Sequence, residues 1–331
     1  MRGRAARPAW LRLGPPLIRA IFHHPCGPWL QDRIAALNSD ALTIEIVPDA
    51  TGPDLDRALA NADVLLHVLH PVTGNMVAAA PKLKLIQKIG VGLDAIDLEA
   101  AKAREIAVCN MPGTNTQAVV ELTLGLMLSV LRGIPMLNHR LRTTGAWALP
   151  PAAQGQFGEI AGKVVGLVGY GQVARRLAIV LDALGAEVLI HARHPITPET
   201  GSFATKEELL THSDIMSLHI PETSETHHWL DAAALDQMKP GTIVINTARG
   251  AVIDEAALLG ALKSGHLGGA GLDVFEMEPL AADAPILSAP NLVVLPHVAW
   301  LTRDTLDRSL QAACANIVQL SNGESLYDRH A

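Results

Sequence analysis

Six short apolar runs in the second half of the chain, each followed by a helix-forming stretch, leave few folds open. They are VVGLVG, EVLIHA, DIMSLHI, TIVINTA, AGLDVF and NLVVLP, with segments such as VARRLAIVLDALG and DEAALLGALKSG between them. Continuous aliphatic runs of this length read as strands buried on both faces. Helices between them predict a parallel sheet covered on both sides. An earlier series has the same rhythm: LIRAIF, LTIEIV, DVLLHVL, KLIQKIG and IAVCN alternate with PWLQDRIAALN, PDLDRALA, TGNMVAAAP and DLEAAKAR. Two such series in 331 residues predict two α/β domains, each a doubly wound parallel sheet.

Between the series lies NTQAVVELTLGLMLSVLR, nearly all apolar, which predicts a helix buried on most sides and suited to linking two domains. The last helical segment, TRDTLDRSLQAACANIVQLSNG, follows the complete second sheet and is expected to cross back onto the first domain. The expected division is therefore 16–111 with 301–331 for a discontinuous first domain, and 112–300 for a second domain inserted into it. The opening MRGRAARPAWLRLGPPLIR has five arginines, no acid and prolines that break an amphipathic helix, so residues 1–15 are expected to be a disordered tail.

Composition narrows the function classes. A net charge of −7 and only eleven aromatic residues argue against a nucleic-acid binder, which needs a basic face and stacking rings. Cys26, Cys109 and Cys314 are odd in number and far apart, and neither CxxC nor HExxH occurs. No disulfide framework and no metal site is expected, and a reducing cytoplasm is the simplest compartment. The longest apolar run, Leu122–Leu131, is too short to cross a bilayer.

VVGLVGYGQVARRLA carries Gly169-Tyr-Gly171-Gln172-Val173-Ala174, a G-x-G-x-x-A turn directly after a strand and opening a helix. The first glycine makes the turn tight, the second lets backbone approach a pyrophosphate, and the small third residue packs helix on strand. Phosphate then sits at the helix N-terminus. Such a Rossmann site for NAD usually ends its next strand in an acid that binds the ribose 2′-hydroxyl. Here AEVLIHARHP puts Ala192 in that place, with Arg193 beside it. A planar guanidinium can grip a 2′-phosphate, so NADP(H) is favoured over NAD(H).

Ligands of open α/β sheets lie beyond the carboxyl ends of the strands. TIVINTARG ends in Arg249, AGLDVFEMEP supplies Asp273 and Glu278, and NLVVLPHVAW supplies His297. Taken singly, Arg249 can pair on a surface, Glu278 can begin a turn before Pro279, and His297 can be a packed strand end. Taken together they meet the needs of one reaction. Histidine exchanges a proton near neutral pH, a carboxylate can hold its far nitrogen, and an arginine can bind a carboxylate and polarise a carbonyl.

IGVGLDAID, CNMPGTNTQAVVELTLGLML, GLVGYGQVARRLA, HIPETSETHHWL, INTARG, LDVFEMEP and LPHVAW together resemble the D-isomer-specific 2-hydroxyacid dehydrogenase family, over about Asp63 to Arg308. That family includes phosphoglycerate dehydrogenases and glyoxylate/hydroxypyruvate reductases. The resemblance implies a Rossmann domain inserted into a flavodoxin-like substrate domain. It implies hydride transfer between a nicotinamide nucleotide and a small 2-keto or D-2-hydroxy acid, glyoxylate or hydroxypyruvate being favoured. By it, Arg249, Glu278 and His297 are the catalytic trio, and Arg249 and His297 also touch substrate and cofactor. Asp273 holds the nicotinamide carboxamide. His219, Ile220 and Pro221 line the adenosine side, and Thr247 and Ala248 meet the nicotinamide half through backbone. The N–H groups of Val91 and Gly92 receive the substrate carboxylate, a nest suited to small anions. Trp300 roofs the pocket or reaches a partner, and Trp147 is an anchor for a homodimer. Two other outcomes stay open in the resemblance: a phosphoglycerate dehydrogenase-like enzyme, and a nucleotide-sensing corepressor built on the same scaffold. Phosphite or formate oxidation would need further site arginines or amides, for which the chain shows no motif.

Overall fold

A computed structural model describes residues 17–48, 51–153 and 155–331. The expected tail at 1–15 lies outside the described residues. The chain divides into two compact units, Thr116–Leu301 and the pair of flanking segments Met1–Asn115 and Thr302–Ala331.

The first unit holds a parallel sheet of β1 (Ile18–His23), β2 (Leu42–Ile46), β3 (Val64–His67), β4 (Leu85–Lys88) and β5 (Ala107–Cys109), in the order β2-β1-β3-β4-β5. Every residue of β3, β4 and β5 is buried, which is why none of them alternates apolar with polar residues. Helices α1 (Pro28–Ala35), α2 (Pro53–Leu59), α3 (Gly74–Ala79) and α4 (Leu98–Ala103) connect them. Prolines in the first turn start α1 and α2. Thr73 and Asp97 cap α3 and α4, their side chains accepting from the N–H groups of Met76 and Ala100.

The second unit opens with α5 (Thr116–Leu131) and α6 (Ile134–Thr144). Then come β6 (Val164–Val168), α7 (Gln172–Ala183), β7 (Glu187–His191), β8 (Ser202–Phe203), α8 (Lys206–His212), β9 (Ile215–Leu218), α9 (Ala232–Gln237), β10 (Ile243–Asn246), α10 (Glu255–Lys263), β11 (Gly269–Leu272) and β12 (Leu292–Val294). The parallel sheet runs β12-β11-β10-β9-β6-β7-β8, so the winding reverses at β6. These two strand orders are the flavodoxin-like and Rossmann arrangements, the α/β class expected. A seventh strand joins the six read from the sequence. It is β8, whose two residues are too few to leave a pattern.

The apolar α5 differs from its expectation. Half of its sixteen residues are buried, while Gln117, Glu121, Gly125 and Leu128 form an exposed face. It packs on β10, β11 and β12 of its own unit. Glycines in β11 permit this: a Cβ at Gly271 would stand 3.0 Å from Leu126, and one at Gly269 2.7 Å from Val130. Helix α6 buries none of its residues, and Ile134, Met136, Leu141 and, beyond its end, Trp147 are exposed.

The last helix, α11 (Arg303–Asn322), belongs to the first unit. Thr302 caps its start and Gly323, at φ 70°, ends it. Buried Asn316 reaches from α11 into the sheet, its Nδ2 donating to Gln87 Oε1 of β4 at 2.6 Å. Beyond α11, residues 328–331 pair backward with β5 through Cys109 and Arg329.

Candidate active site

The turn after β6 has the shape the fingerprint predicts. Gly169 sits at φ 98°, where an added Cβ would stand 2.5 Å from the carbonyl oxygen of His219, so only glycine fits. Gly171 precedes α7, caps it with no side chain, and would meet nothing within 4 Å if given a Cβ. The N–H groups of Gln172 and Val173 belong to the first turn of this twelve-residue helix, at its positive end. Ala174 is fully buried, where a larger residue would push the helix off the strand. The residues present fit a dinucleotide pyrophosphate.

Next to this turn, β7 ends at His191 and is followed by Ala192 and Arg193. The Arg193 guanidinium lies 3.6 Å from the Glu225 carboxylate. His219 follows β9, its Nε2 2.9 Å from the Ser217 hydroxyl, and burial pushes its pKa down to about 4. Ile220 borders Gly169, and the Pro221 carbonyl accepts from the Thr226 hydroxyl at 2.7 Å.

Beyond β10, Asn246 shapes the INTARG loop: its Nδ2 donates to the Arg249 carbonyl at 2.8 Å and its Oδ1 accepts from Ala248 N–H at 3.0 Å. The Thr247 hydroxyl is 2.9 Å from that of Thr123 on α5. The Arg249 guanidinium donates to the Ala248 carbonyl at 2.7 Å, and its charge helps hold Glu278 ionised. Gly250 lies against the Phe275 backbone, where a Cβ would stand 1.9 Å from a carbonyl carbon. That contact brings the arginine loop onto the loop bearing Glu278. Gly250→Ala is therefore expected to cost about 3 kcal/mol or more of stability, read by urea unfolding, because backbone rather than a movable side chain must give way.

The trio's carboxylate and imidazole meet. Glu278 Oε2 lies 2.7 Å from His297 Nδ1, and Glu278 Oε1 accepts from Phe275 N–H at 3.0 Å. Burial raises the Glu278 pKa, but the hydrogen bond and charge of His297, the Phe275 N–H and Arg249 outweigh it, and the net direction is down. An ionised carboxylate only accepts, so the proton on Nδ1 belongs to the histidine and Nε2 is left as the exchanging nitrogen.

Backbone geometry aims that ring. His297 sits at φ 54°, a left-handed conformation rare outside glycine. Three bonds to Asp273 hold it there. His297 N–H donates to the Asp273 carbonyl, and the N–H groups of Val298 and Ala299 donate to its two carboxylate oxygens, all at 2.8 Å. Asp273 is fully buried, and burial raises its pKa against the pull of those N–H groups. The Asp273 carboxylate thereby shapes the turn carrying the histidine. Trp300 Nε1 donates to the His297 carbonyl at 3.1 Å, closing the same turn. Asn246, Thr123 and Glu225 escaped sequence reading. Thr123, a polar residue inside an apolar helix, was the one visible signal among them.

Val91 and Gly92 follow β4 in the first unit. The loop is fixed by Asn110 Nδ2 donating to the Val91 carbonyl and by Met111 N–H donating to the Gly90 carbonyl, both at 2.9 Å. Among the described residues neither Val91 N–H nor Gly92 N–H makes a backbone hydrogen bond. Elsewhere, His228 pairs with Glu276 at 2.9 Å, and no three metal-ligating side chains gather among the described residues.

The family profile for the D-isomer specific 2-hydroxyacid dehydrogenase NAD binding domain matches residues 124–299. The chain belongs to that family. It is 37% identical over 292 residues to D-3-phosphoglycerate dehydrogenase of Mycobacterium tuberculosis, covering 85% of this chain and 54% of the relative. The chain thus spans about half the length of that relative. Against glyoxylate reductase of Thermofilum pendens, identity is 38% over 278 residues, 82% of each chain. A crystal structure of a Thermus thermophilus protein superposes with a TM-score of 0.86 at 34% identity, covering 95% of this chain and all of the other.

Proposed function

We propose that the protein is a nicotinamide-dependent oxidoreductase acting on small 2-keto and D-2-hydroxy acids, with glyoxylate and hydroxypyruvate as its substrates. The hydrogen-bonded pair of Glu278 and His297 at 2.7 Å carries the reading. The nucleotide, when bound, supplies or accepts the hydride. Arg249 binds carboxylate and carbonyl oxygen, and its charge stabilises the oxygen as it gains negative charge. His297 Nε2 donates a proton to that oxygen in reduction and takes it back in oxidation. Glu278 keeps the proton on Nδ1 and offsets the imidazolium charge.

Similarity over 82% of both chains to a glyoxylate reductase supports a short acid. Similarity to phosphoglycerate dehydrogenases supports 3-phosphoglycerate as the second reading. The alanine and arginine at 192 and 193 support NADP(H) over NAD(H). Exposed Ile134, Met136, Leu141 and Trp147 support a homodimer through the α6 region. Three free cysteines suit the cytoplasm. Absorbance at 340 nm, followed with NADPH and NADH against glyoxylate, hydroxypyruvate and the 3-phosphoglycerate couple, tests all but the last two points. Turnover of none of these acids would end the proposal.

A further inference from the structure

Where β7 ends, dinucleotide sites of this fold commonly carry an acid that accepts the ribose 2′-hydroxyl, and this chain has Ala192. A different loop restores a carboxylate to that neighbourhood. Strands β7 and β9 flank β6 on either side, so the loops after them leave the sheet on both sides of the Gly169 turn. Across that gap Glu225, from the loop after β9, faces Arg193 at 3.6 Å.

Both loops are braced from within. Thr226 bonds the Pro221 carbonyl and the Thr223 N–H, at 2.7 and 2.8 Å, and so fixes the turn that presents Glu225. On the other side, Tyr170, inside the glycine turn, accepts the Glu199 N–H at 3.0 Å and tethers the segment after Arg193. The neighbouring acid, Glu222, is turned toward His227 at 3.8 Å. Glu225 and Arg193 are both exposed, with side chains 74% and 69% accessible, so their pairing is loose and opens readily to a ligand.

We propose that Glu225 is the specificity-determining partner of Arg193, its carboxylate accepting the ribose 2′-hydroxyl of NAD(H) and yielding the guanidinium to the 2′-phosphate of NADP(H). The inference rests on the nicotinamide-nucleotide reading and deepens it. One site then holds two opposed groups. The arginine attracts the phosphate dianion, while the carboxylate repels it and rewards a hydroxyl. Cofactor preference is the balance between them rather than the arginine alone, and the site tolerates both nucleotides.

Direct binding is the test, by quenching of protein fluorescence with NADPH and with NADH at low ionic strength, where exposed charges are least screened. Removing the like charge in Glu225→Gln is expected to tighten NADPH by about fivefold to tenfold and to weaken NADH by about threefold or more. Arg193→Ala is expected to weaken NADPH by at least about tenfold and leave NADH nearly unchanged. Unaltered thermal midpoints would show that both variants fold. Dissociation constants that stay put in Glu225→Gln, or shift in the same direction for both nucleotides, overturn the inference. Intact nucleotide binding without keto-acid turnover counts against the proposed reaction alone. Turnover with an unmoved cofactor ratio in Glu225→Gln counts against Glu225 alone. Failure to bind either nucleotide sinks both.

Discussion

His297→Asn is expected to slow 2-keto acid reduction by about 10²–10⁴-fold while nicotinamide nucleotides bind within about twofold of their original affinity. The amide keeps a donor and an acceptor near the position of the imidazole but cannot give up a proton. The bonds that hold the turn are backbone bonds from residues 297–299 to Asp273, so the substitution leaves them in place. Loss of rate should therefore fall on kcat, with little change in nucleotide dissociation measured by fluorescence. Glu278→Gln makes the informative contrast. Its carbonyl can still accept from Nδ1, so a residual rate about 10–100-fold below the original is expected from lost charge alone. The pH profile separates the two. Net effects hold the Glu278 carboxyl below its ordinary range, so its support for His297 is complete above that range and lost as pH falls through the depressed value. An acid limb set by Glu278 should disappear in Glu278→Gln. If His297→Asn retains keto-acid reduction above about a tenth of the original, the proton comes from another group.

The second large effect concerns stability. Acidification from pH 7.5 to 4.5 is expected to weaken the first unit by on the order of 2–3 kcal/mol through His67 alone. His67 ends β3, is fully buried, and has its pKa pushed to about 3, by burial first and then by the Lys88 charge. Its Nε2 lies 2.6 Å from the His70 carbonyl, which can only accept, so Nε2 carries the proton of the neutral ring. The unfolded chain binds a proton near pH 6.5 that the folded chain refuses until about 3. Stability is thus complete above about 6.5 and declines as pH falls below it. Around the ring stand His23, His70 and Lys88, whose charges add to the refusal. His24, lowered by burial and by the same neighbours, acts with the same sign. Urea unfolding at the two pH values reads the effect. His67→Gln, which can still donate to the His70 carbonyl, should lose about 2–3 kcal/mol less on acidification than the original protein. Equal losses in both would show that His67 titrates freely in the fold or is not neutral at pH 7.5.

How much of this was legible in the text depended on range. Among the described residues eleven of twelve strands stood out: strands buried on both faces, such as β3 and β10, are nearly continuous apolar runs, and β2, with Thr43 and Glu45 exposed, alternates. The exception, β8, is a pair of residues on the sheet edge. Helix α6 passed unread because it buries nothing within the chain. Its apolar residues face outward, so its pattern answers to no core. Helix α5 reads as buried on most sides because composition reports how apolar a helix is, not which side is covered.

Arg249, Glu278 and His297 could be picked out because a parallel sheet delivers its carboxyl ends to one edge, and each residue lies in the loop that follows a strand, Arg249 after β10, Glu278 after β11 and His297 after β12. The strand pattern and the glycine turn were enough to establish the α/β class and where its ligand edge lies. Only the folded chain decided the pairings. Asp273 is buried under the backbone of residues 298–299, Asn246 rather than Arg249 shapes the arginine loop, and Glu225 arrives beside Arg193 from a separate crossing. Strand and turn signals are local, written within a few residues of one another. A carboxylate's partner lies dozens of residues away, and its identity exists only once loops from different strands have been brought to a common edge.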